Sequence, residues 1–325
     1  MTFFREIILK SALFCAAGIG AVSAQNYPNK PVRIVVPFAP GGSSEIVARA
    51  VAQKLSEQLG QQFIVENKPG AAGNIATAEV AKSDPDGYTL ILGHVGTFAV
   101  NPILFGAKLP YDANKDFAPI GLLAKVPSVF VVGAKVPANN LKEFIALAKA
   151  NPGKMNYGSA GNASSGHLSF EYLKLATGID VQHIPYKGTG PQLQDLLGGR
   201  TEAASAGAPP LMAHIKSGAL KAIAVGTASR VAALPSVGTV AEQGYPGFET
   251  SQWYGLLAPA KTPSAVLAKL SEEVGKALRA ADVKAKFDAD GAGGGSGVAS
   301  EFAAFIKAEQ KRWEDVVMRA HITLD

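Results

Sequence analysis

Short apolar runs alternate along the chain with amphipathic stretches, and glycine-rich turns separate the two. Residues 34–36 are a β-branched run that predicts a buried strand. The Pro-Gly-Gly sequence at 40–42 ends this strand, and Ser43 or Ser44 can cap a helix that follows. Apolar residues recur every fourth position in that helix, at Val47, Val51, Leu55 and Leu59. Strand, glycine-rich turn and helix in this order are typical of an α/β protein with a parallel sheet.

The same alternation continues to the end of the chain. We predict further strands at residues 63–65, 88–92, 128–132, 154–157, 183–186 and 222–225, and a strand-like crossing at 251–257. We predict further helices after Asn74, at 141–150, 165–176 and 192–197, from Pro263, and from a Ser300 cap to about Arg319. The pattern predicts an α/β fold in which helices flank mostly parallel sheets.

Composition supports a large core and argues against a nucleic-acid partner. The chain has 325 residues, of which 47% are hydrophobic and 18% are charged. The charged share of a typical protein is about 25%. This length suffices for two domains, and the composition excludes an intrinsically disordered chain. The formal net charge of +5 is spread thinly, without a Lys/Arg cluster of the kind that follows a phosphate backbone.

The first residues have the pattern of an export signal. Arg5 and Lys10 precede an apolar stretch at 11–22, and Val22-Ser23-Ala24 fits a signal-peptidase site. The stretch is shorter than the roughly 20 residues that a transmembrane helix needs. We therefore expect a signal peptide at 1–24, cut after Ala24, and a periplasmic product. A buried N-terminal helix is the alternative.

The single cysteine, Cys15, lies inside this segment. Lipidation at Cys15 is an alternative to cleavage after Ala24, but a lipoprotein signal favours a small residue before the cysteine, and Phe14 is bulky. Cleavage leaves a mature chain without cysteine, which excludes disulfides, thiol nucleophiles and thiolate metal sites.

Local motifs for metal binding, phosphate binding and nucleophilic catalysis are missing from the sequence. None of the histidines lies at the i,i+2 or i,i+4 spacing that local metal sites use. The sequence also lacks G-x-S-x-G, G-x-x-x-x-G-K-[ST] and G-x-G-x-x-G. We therefore expect neither a metal nor a cofactor. A Ser/His/Asp triad assembled from distant residues stays open.

Three loops rich in Gly, Ser and Ala each follow a predicted strand and precede a helix, at residues 37–44, 94–101 and 158–165. In an open parallel sheet such loops lie at the carboxyl ends of the strands, where ligands bind. Helix N-termini carry free N–H groups and about half a positive charge, and glycine lets a ligand approach them closely. Together the loops predict an anion receptor without a fixed cation. Tight packing is the alternative for any one loop taken alone.

Four side chains near these loops have two interpretations each. His167 could contact a ligand, or it could cap and pack at the start of its helix. Trp253 and Tyr254 could stack on a ligand, although core or hinge positions are more common for such residues. Lys187 could bind the ligand as a cation, but we favour the alternative that it lies in a solvated turn.

Six segments, which span the mature chain in order, match a known family. They are VRIVVPFAPGGSSEIVAR at 32–49, VENKPGAAGN at 65–74, DGYTL at 86–90, NYGSAG at 156–161, PYKG at 185–188 and WYGLLAPAKTP at 253–263. With these segments the chain resembles the Bug family, the periplasmic substrate-binding proteins of tripartite tricarboxylate transporters, also called the TctC family. The likeness is specific for the family and not for the ligand.

The resemblance implies a two-domain periplasmic-binding-protein (Venus-flytrap) fold, in which crossing strands join two α/β domains. Domain 1 would comprise residues 25–123 and 248–325, and domain 2 residues 124–247, with a carboxylate in the cleft. The family holds its ligand mostly through backbone amides, small hydroxyls and ordered waters. Carried over by position, the ligand-binding residues are Phe38, Ala39, Gly41, Gly42, Ser43 and Thr97 in domain 1 and Ser159, Ala160, Gly161, Asn162, Ser164 and His167 in domain 2.

Two positions depart from the family pattern. The family commonly has Asp where this chain has Glu45, and the longer side chain could cap the helix differently or reach into the cleft. After Arg200 the family often has Val-Asp and then bulky apolar residues, whereas residues 201–205 here are Thr-Glu-Ala-Ala-Ser. This second departure leaves the shape of the domain 2 wall, and therefore the ligand, open.

These observations lead us to expect a monomeric periplasmic solute-binding protein, not an enzyme. It would capture a small organic carboxylate and deliver it to the membrane permease subunits of a tripartite tricarboxylate transporter. Two alternatives remain. A ligand-binding partner of a membrane sensor kinase would use the same fold and pocket, and a secreted hydrolase would lose ester turnover on Ser164→Ala.

Overall fold

The computed structural model describes residues 27–319. The predicted signal peptide (1–24), its cleavage site after Ala24, Cys15 and His321 lie outside the described residues. The strands are β1 (Val32–Val36), β2 (Phe63–Asn67), β3 (Thr89–His94), β4 (Phe117–Gly133), β5 (Asn156–Ser159), β6 (Gln182–Pro185), β7 (Ala203–Gly207), β8 (Leu220–Val225), β9 (Ser251–Pro259) and β10 (Gly293–Gly294). The α-helices are α1 (Ser43–Leu59), α2 (Asn74–Ala81), α3 (Asn101–Phe105), α4 (Leu141–Ala150), α5 (Ser165–Thr177), α6 (Thr189–Leu197), α7 (Ala208–Lys216), α8 (Ser264–Arg279), α9 (Ala281–Ala289) and α10 (Ala299–Arg319). Between residues 27 and 319, no helix combines the length and the apolar composition that crossing a membrane requires.

The strands join in the order β2-β1-β3-β9-β4-β7-β5-β6, and β8 and β10 also pair with β4. We call β1, β2, β3 and β9, with the start of β4, the first half-sheet. We call β5, β6, β7 and β8, with the end of β4, the second half-sheet. β1 is parallel to β2 and β3, and β5 is parallel to β6 and β7. The predicted α/β alternation is therefore confirmed in both half-sheets.

The first half-sheet shows how sequence pattern becomes structure. Most of the side chains of β1 are buried, as expected for a parallel strand that is covered on both faces. In α1 the predicted apolar face is buried, and Leu59 packs against the same core. The helix ends at Gly60, whose left-handed conformation (φ 67°) suits glycine. Because α1 begins directly after the turn that follows β1, its N-terminus lies at the carboxyl edge of the sheet.

The strand β4 crosses from one half-sheet to the other. Residues 117–127 pair with β9, and residues 128–133 pair with β7 and β8, all antiparallel. The sequence pattern predicted a strand only at 128–132, because Pro119 and Pro127 interrupt the earlier apolar positions and proline cannot donate a ladder hydrogen bond. A register shift between Pro119 and Gly121 accommodates the first proline.

Three helices close the described chain, where the pattern predicted two. α8 begins directly after Pro263, as predicted, and α10 begins at Ala299, beside the predicted Ser300 cap. The helix α9 was missed because it lacks an extended apolar face and buries only Val283 and Phe287. All three helices pack against the first half-sheet or its helices.

Candidate functional site

A small cavity of about 20 Å³ lies between the two half-sheets, at the carboxyl ends of β1 and β5. This is the edge at which open α/β sheets bind ligands. On the first half-sheet's side it is lined by Phe38, Gly42, Ser43, Ser44, His94, Gln252 and Tyr254, and on the second's by Ala160, Ser164, Ser165, Gly166, Thr189, Ser205 and Ala206. Larger surface depressions exist, among them one of about 660 Å³ between Arg49 and Val65, but that one follows the side of α1 and not its start.

The start of α1 forms one wall of the cavity. Gly42 is the N-cap residue, and no side chain caps the helix. Ser43 and Ser44 follow it and are buried. The first N–H groups of a helix have no acceptor within the helix and lie at the positive end of its dipole. This wall therefore offers backbone donors together with two hydroxyl groups.

The start of α5 forms the opposite wall. Ser164 is its N-cap residue, and the Ser164 hydroxyl accepts the N–H of His167 at 3.3 Å. Ser165 and Gly166 then enter the first turn. A Cβ at Gly166 would lie 2.2 Å from the carbonyl oxygen of Ser205, so only glycine lets α5 approach β7 this closely. The second wall repeats the chemistry of the first, with free amides and small hydroxyls.

The side chains that line the cavity carry no formal charge, because none of them is Asp, Glu, Lys or Arg. The positive potential there comes from the two helix starts, where aligned peptide dipoles add to about half a charge each. Such a site attracts an anion without a fixed cation. The structure thus brings together the first and the third of the predicted glycine-rich loops, and the second loop reaches the same cavity through His94.

Part of the predicted site lies in this lining and part lies outside it. The predicted residues that line the cavity are Phe38, Gly42, Ser43, Ala160 and Ser164. The predicted residues outside the lining are Ala39, Gly41, Thr97, Ser159, Gly161, Asn162 and His167. Except for Thr97 in the second loop, and His167 in the first turn of α5, the residues outside the lining belong to the same two loops as those within it.

Hydrogen bonds within the first half-sheet explain two of these positions. The Gly41 N–H donates to the Glu45 carboxylate at 2.7 Å, so this amide is occupied. Glu45 also pairs with Arg49 at 2.7 Å, so its carboxylate holds the turn before α1 and does not line the cavity. The Thr97 hydroxyl lies 3.2 Å from both the nitrogen and the oxygen of the His94 backbone, and it fixes the turn after β3.

A serine–histidine pair occurs in the second half-sheet, outside the cavity. The Ser159 hydroxyl lies 2.6 Å from Nε2 of His183, whose ring stacks on His167 and Tyr157. Ser159 is fully buried, and within residues 27–319 no carboxylate bonds to the His183 ring to orient it. Burial, with smaller contributions from His167 and Lys174, lowers the pKa of His183 to about 3. This arrangement is a packing motif without access to a substrate.

Several lining residues were not identified from the sequence. His94 begins the second glycine-rich loop. The loop was predicted to bind a ligand, but the His94 side chain was not among the predicted site residues. Thr189 follows the PYKG segment, and Ser205 lies in the segment that departs from the family pattern. In that segment Glu202 has a structural task, since its carboxylate accepts the Asn156 N–H at 2.8 Å.

The two aromatic residues of β9 lie in different environments. Trp253 is buried against Phe302 and Phe305, and its indole N–H donates to Glu309 at 3.0 Å. Tyr254 lines the cavity and stacks on His94. Trp253 is therefore a core residue, whereas Tyr254 belongs to the site.

The half-sheets also touch beside the cavity. The Ala39 N–H donates to the Lys187 carbonyl at 3.2 Å, while the Lys187 side chain is exposed. A Cβ at Gly188 would lie 2.7 Å from the Cβ of Ala39, and a Cβ at Gly190 would lie 2.5 Å from the Pro40 carbonyl. The loop after β1 and the start of α6 thus meet backbone to backbone. Across the described chain, no cluster of His, Cys, Asp and Glu has the arrangement of a metal site.

Sequence comparison places these features in a family. A family model described as "Tripartite tricarboxylate transporter family receptor" (TctC) matches residues 47–322. The chain is similar to Protein BugT of Bordetella pertussis, with 36% identity over 318 residues, which is 98% of this chain and 98% of BugT.

Structure comparison agrees. The fold is similar to that of the periplasmic binding protein BugD, with 35% identity, a TM-score of 0.88, and coverage of 91% of this chain and 99% of that chain. It is also similar to R. palustris Rpa4515, solved with adipate, with 36% identity, a TM-score of 0.89, and coverage of 92% and 99%. These similarities confirm the predicted two-domain periplasmic-binding-protein fold. By sequence and by structure, the chain belongs to the TctC family of receptors.

Proposed function

We propose that this protein is a periplasmic receptor that captures a small organic carboxylate between its two domains and delivers it to the membrane permease of a tripartite tricarboxylate transporter. One observation carries the proposal: the N-termini of α1 and α5 open into the same uncharged cavity. The similarity to a relative solved with adipate supports a carboxylate as the ligand.

Hydrogen bonds from these walls provide enough free energy for capture. A hydrogen bond between a neutral donor and a carboxylate contributes about 1.5–3 kcal/mol. Four of them contribute roughly 6–12 kcal/mol before the costs of ordering and desolvation. A micromolar dissociation constant corresponds to about −8 kcal/mol. Amides and hydroxyls therefore suffice, and an arginine or lysine is not required.

We assign the ligand contacts to the predicted residues that line the cavity. Phe38, Gly42 and Ser43 would contact the ligand from one wall, and Ala160 and Ser164 from the other. The remaining predicted residues would hold the loops in shape, namely Ala39, Gly41, Thr97, Ser159, Gly161, Asn162 and His167.

Capture also requires the domains to move. A cavity of about 20 Å³ accommodates a small group and not a whole dicarboxylate, so the half-sheets must separate to admit one. We propose that residues 25–123 with 248–325 move as one domain and 124–247 as the other. The division supports this, since β4 passes between the half-sheets near Ser128. A ligand then favours the closed state by bridging both walls.

Titration calorimetry on the mature chain tests the proposal. Adipate, succinate, malate and citrate serve as probes, with the diamine putrescine as a control of opposite charge. We expect at least one acid to bind with micromolar affinity and the diamine not to bind. No response to any of the four acids, with or without binding of the diamine, would contradict a carboxylate receptor.

A further inference from the structure

Three polar side chains of the cavity have hydrogen-bonding capacity that the fold does not use. They are His94 at the end of β3, Gln252 at the start of β9 and Ser205 in β7. All three are buried, with 6% exposure or less. Burying a polar group without a partner costs free energy, so each one requires an explanation.

The His94 ring is held as a hydrogen-bond donor. Its Nδ1 accepts the N–H of Gly96 at 2.9 Å, so the proton of the neutral ring is on Nε2. The ring packs against the edge of Phe38 and stacks on Tyr254. Between residues 27 and 319, no acceptor lies within hydrogen-bonding distance of Nε2. Burial lowers the pKa of His94 to about 3, and the ring therefore stays neutral at physiological pH.

Gln252 is also held as a hydrogen-bond donor. Its Oε1 accepts the hydroxyl proton of Tyr254, which leaves the amide NH₂ group as its free part. None of the described residues accepts a hydrogen bond from this NH₂ group. A tyrosine hydroxyl therefore fixes Gln252 as a donor, just as a backbone amide fixes His94.

Ser205 completes the set from the opposite half-sheet. Its hydroxyl is buried and has no partner among the described residues. The neighbouring Ser205 carbonyl is already used, since it accepts from Gln192 at 3.3 Å. A hydroxyl can rotate to donate, so Ser205 can join the other two donors around one ligand group.

We propose that His94, Gln252 and Ser205 recognise the ionised carboxylate by side-chain donors, and that they select against a ligand that places an N–H group at this end. This inference rests on the proposed function and adds to it the residues that set the chemical selectivity. An ionised carboxylate only accepts hydrogen bonds, and it therefore matches His94 and Gln252, whose own acceptor atoms are already occupied. An amide or ammonium group would place its own donors against those of His94 and Gln252.

A pair of substitutions at His94 separates ligand recognition from support of the loop. His94→Asn retains an acceptor near the position of Nδ1, for the Gly96 N–H, and removes the donor at Nε2. His94→Gln places an amide NH₂ group near the position of Nε2. We expect His94→Asn to weaken adipate or malate binding about 10- to 100-fold in calorimetry, and His94→Gln to recover much of the affinity. A purely structural histidine predicts the reverse order.

Imidazole NMR of the wild-type protein gives a second readout that needs no variant. We expect the ¹⁵N shifts of His94 to show a protonated Nε2 and an unprotonated Nδ1, and the Nε2 resonance to move when adipate or malate is added. Ser205→Ala should weaken binding about 3- to 30-fold without lowering the Tm of the ligand-free protein, because a donor without a protein partner is removed.

The outcomes distinguish this inference from the proposed function. If the wild-type protein binds none of the acids, the proposed function fails. If it binds them, but His94→Asn binds as tightly as the wild-type protein or the Nε2 resonance does not respond, the donor assignment is wrong and the receptor function stands.

Discussion

At the scale of one residue, Gly42 is both the N-cap of α1 and part of the cavity lining. It caps α1 in an extended conformation (φ −100°, ψ 169°) that any residue adopts. A Cβ there would lie 3.2 Å from the Thr189 hydroxyl oxygen, a contact that a small adjustment relieves. Glycine at this position therefore leaves room beside the cavity, and the conformation of the turn does not require it.

The substitution Gly42→Asp is expected to abolish carboxylate binding. It places a negative charge where the bound anion would lie, and the same carboxylate can cap the free amides of α1. The fold should therefore keep or slightly raise its Tm, while the affinity falls more than about 100-fold. Calorimetry and thermal melts of the variant measure both effects. Gly42→Ala is the control and should lose about tenfold or less; tight binding by Gly42→Asp would refute the position of the anion.

The neutral state of His94 links the site to stability. Its pKa is about 3 in the folded protein, with burial as the only cause, and about 6.5 in the unfolded chain. The unfolded chain therefore binds the additional proton as the pH falls below about 6.5. The contribution of neutral His94 to the free energy of unfolding is fully present above this pH. It is lost progressively as the pH falls toward 3.

We expect His94 to reduce the free energy of unfolding by about 2 kcal/mol between pH 6.5 and pH 5. Carboxylates contribute little in this range because they titrate lower. Urea unfolding at several pH values measures the slope, and His94→Gln should remove this contribution while the slope from His183 remains. An identical slope in the variant would show that His94 is not held neutral by the fold.

At the scale of the elements, the start of α6 and the loop after β1 form a backbone contact beside the cavity. Gly188 and Gly190 at the start of α6 approach Ala39 and Pro40 so closely that no side chain fits between them. The contact includes a hydrogen bond from the Ala39 N–H to the Lys187 carbonyl. The PYKG segment of the sequence therefore marks a place where the two half-sheets touch, and its lysine is exposed.

The substitution Gly190→Ala should impair closure and leave the fold intact. Its Cβ would lie 2.5 Å from the Pro40 carbonyl oxygen when the half-sheets are in contact. When they are apart this clash is absent, and alanine is then a better helix former than glycine in α6. We expect adipate affinity to fall about tenfold or more, with an unchanged Tm for the ligand-free protein. The control is Gly275→Ala in α8, where the nearest atoms to the added Cβ would be those of the Arg279 guanidinium group, 3.2 Å away or more. Equal affinity in both variants would show that this contact does not control binding.

The elements also show how far the sequence alone could go. The β1–α1 unit was predictable because its apolar residues are β-branched in the strand and recur every fourth position in the helix. The strand β7 was not, because Ala203–Gly207 consists of small residues and is a strand only through its place between β4 and β5. The loop that begins with His94 was recognised by its glycine. Which of its side chains faces the cavity depends on packing against Phe38 and Tyr254, and these lie far away in the sequence.

At the scale of the whole molecule, the cavity is assembled from both half-sheets. Each half-sheet contributes one wall and one helix start, and neither wall alone surrounds a ligand. Strand β4 continues through both half-sheets, so it connects the two walls and can act as the hinge of the proposed domain movement. Because backbone amides and uncharged side chains form the walls, cavity shape would decide which acid the proposed receptor binds. This is why the sequence predicts the class of ligand better than the ligand itself.

A crystal structure of the mature protein with bound adipate would test the central claim most directly. We predict one carboxylate within hydrogen-bonding distance of main-chain amides at the starts of both α1 and α5, with Nε2 of His94 among its donors. A carboxylate held instead by a lysine or arginine side chain, at a distance from these two helix starts, would contradict the account.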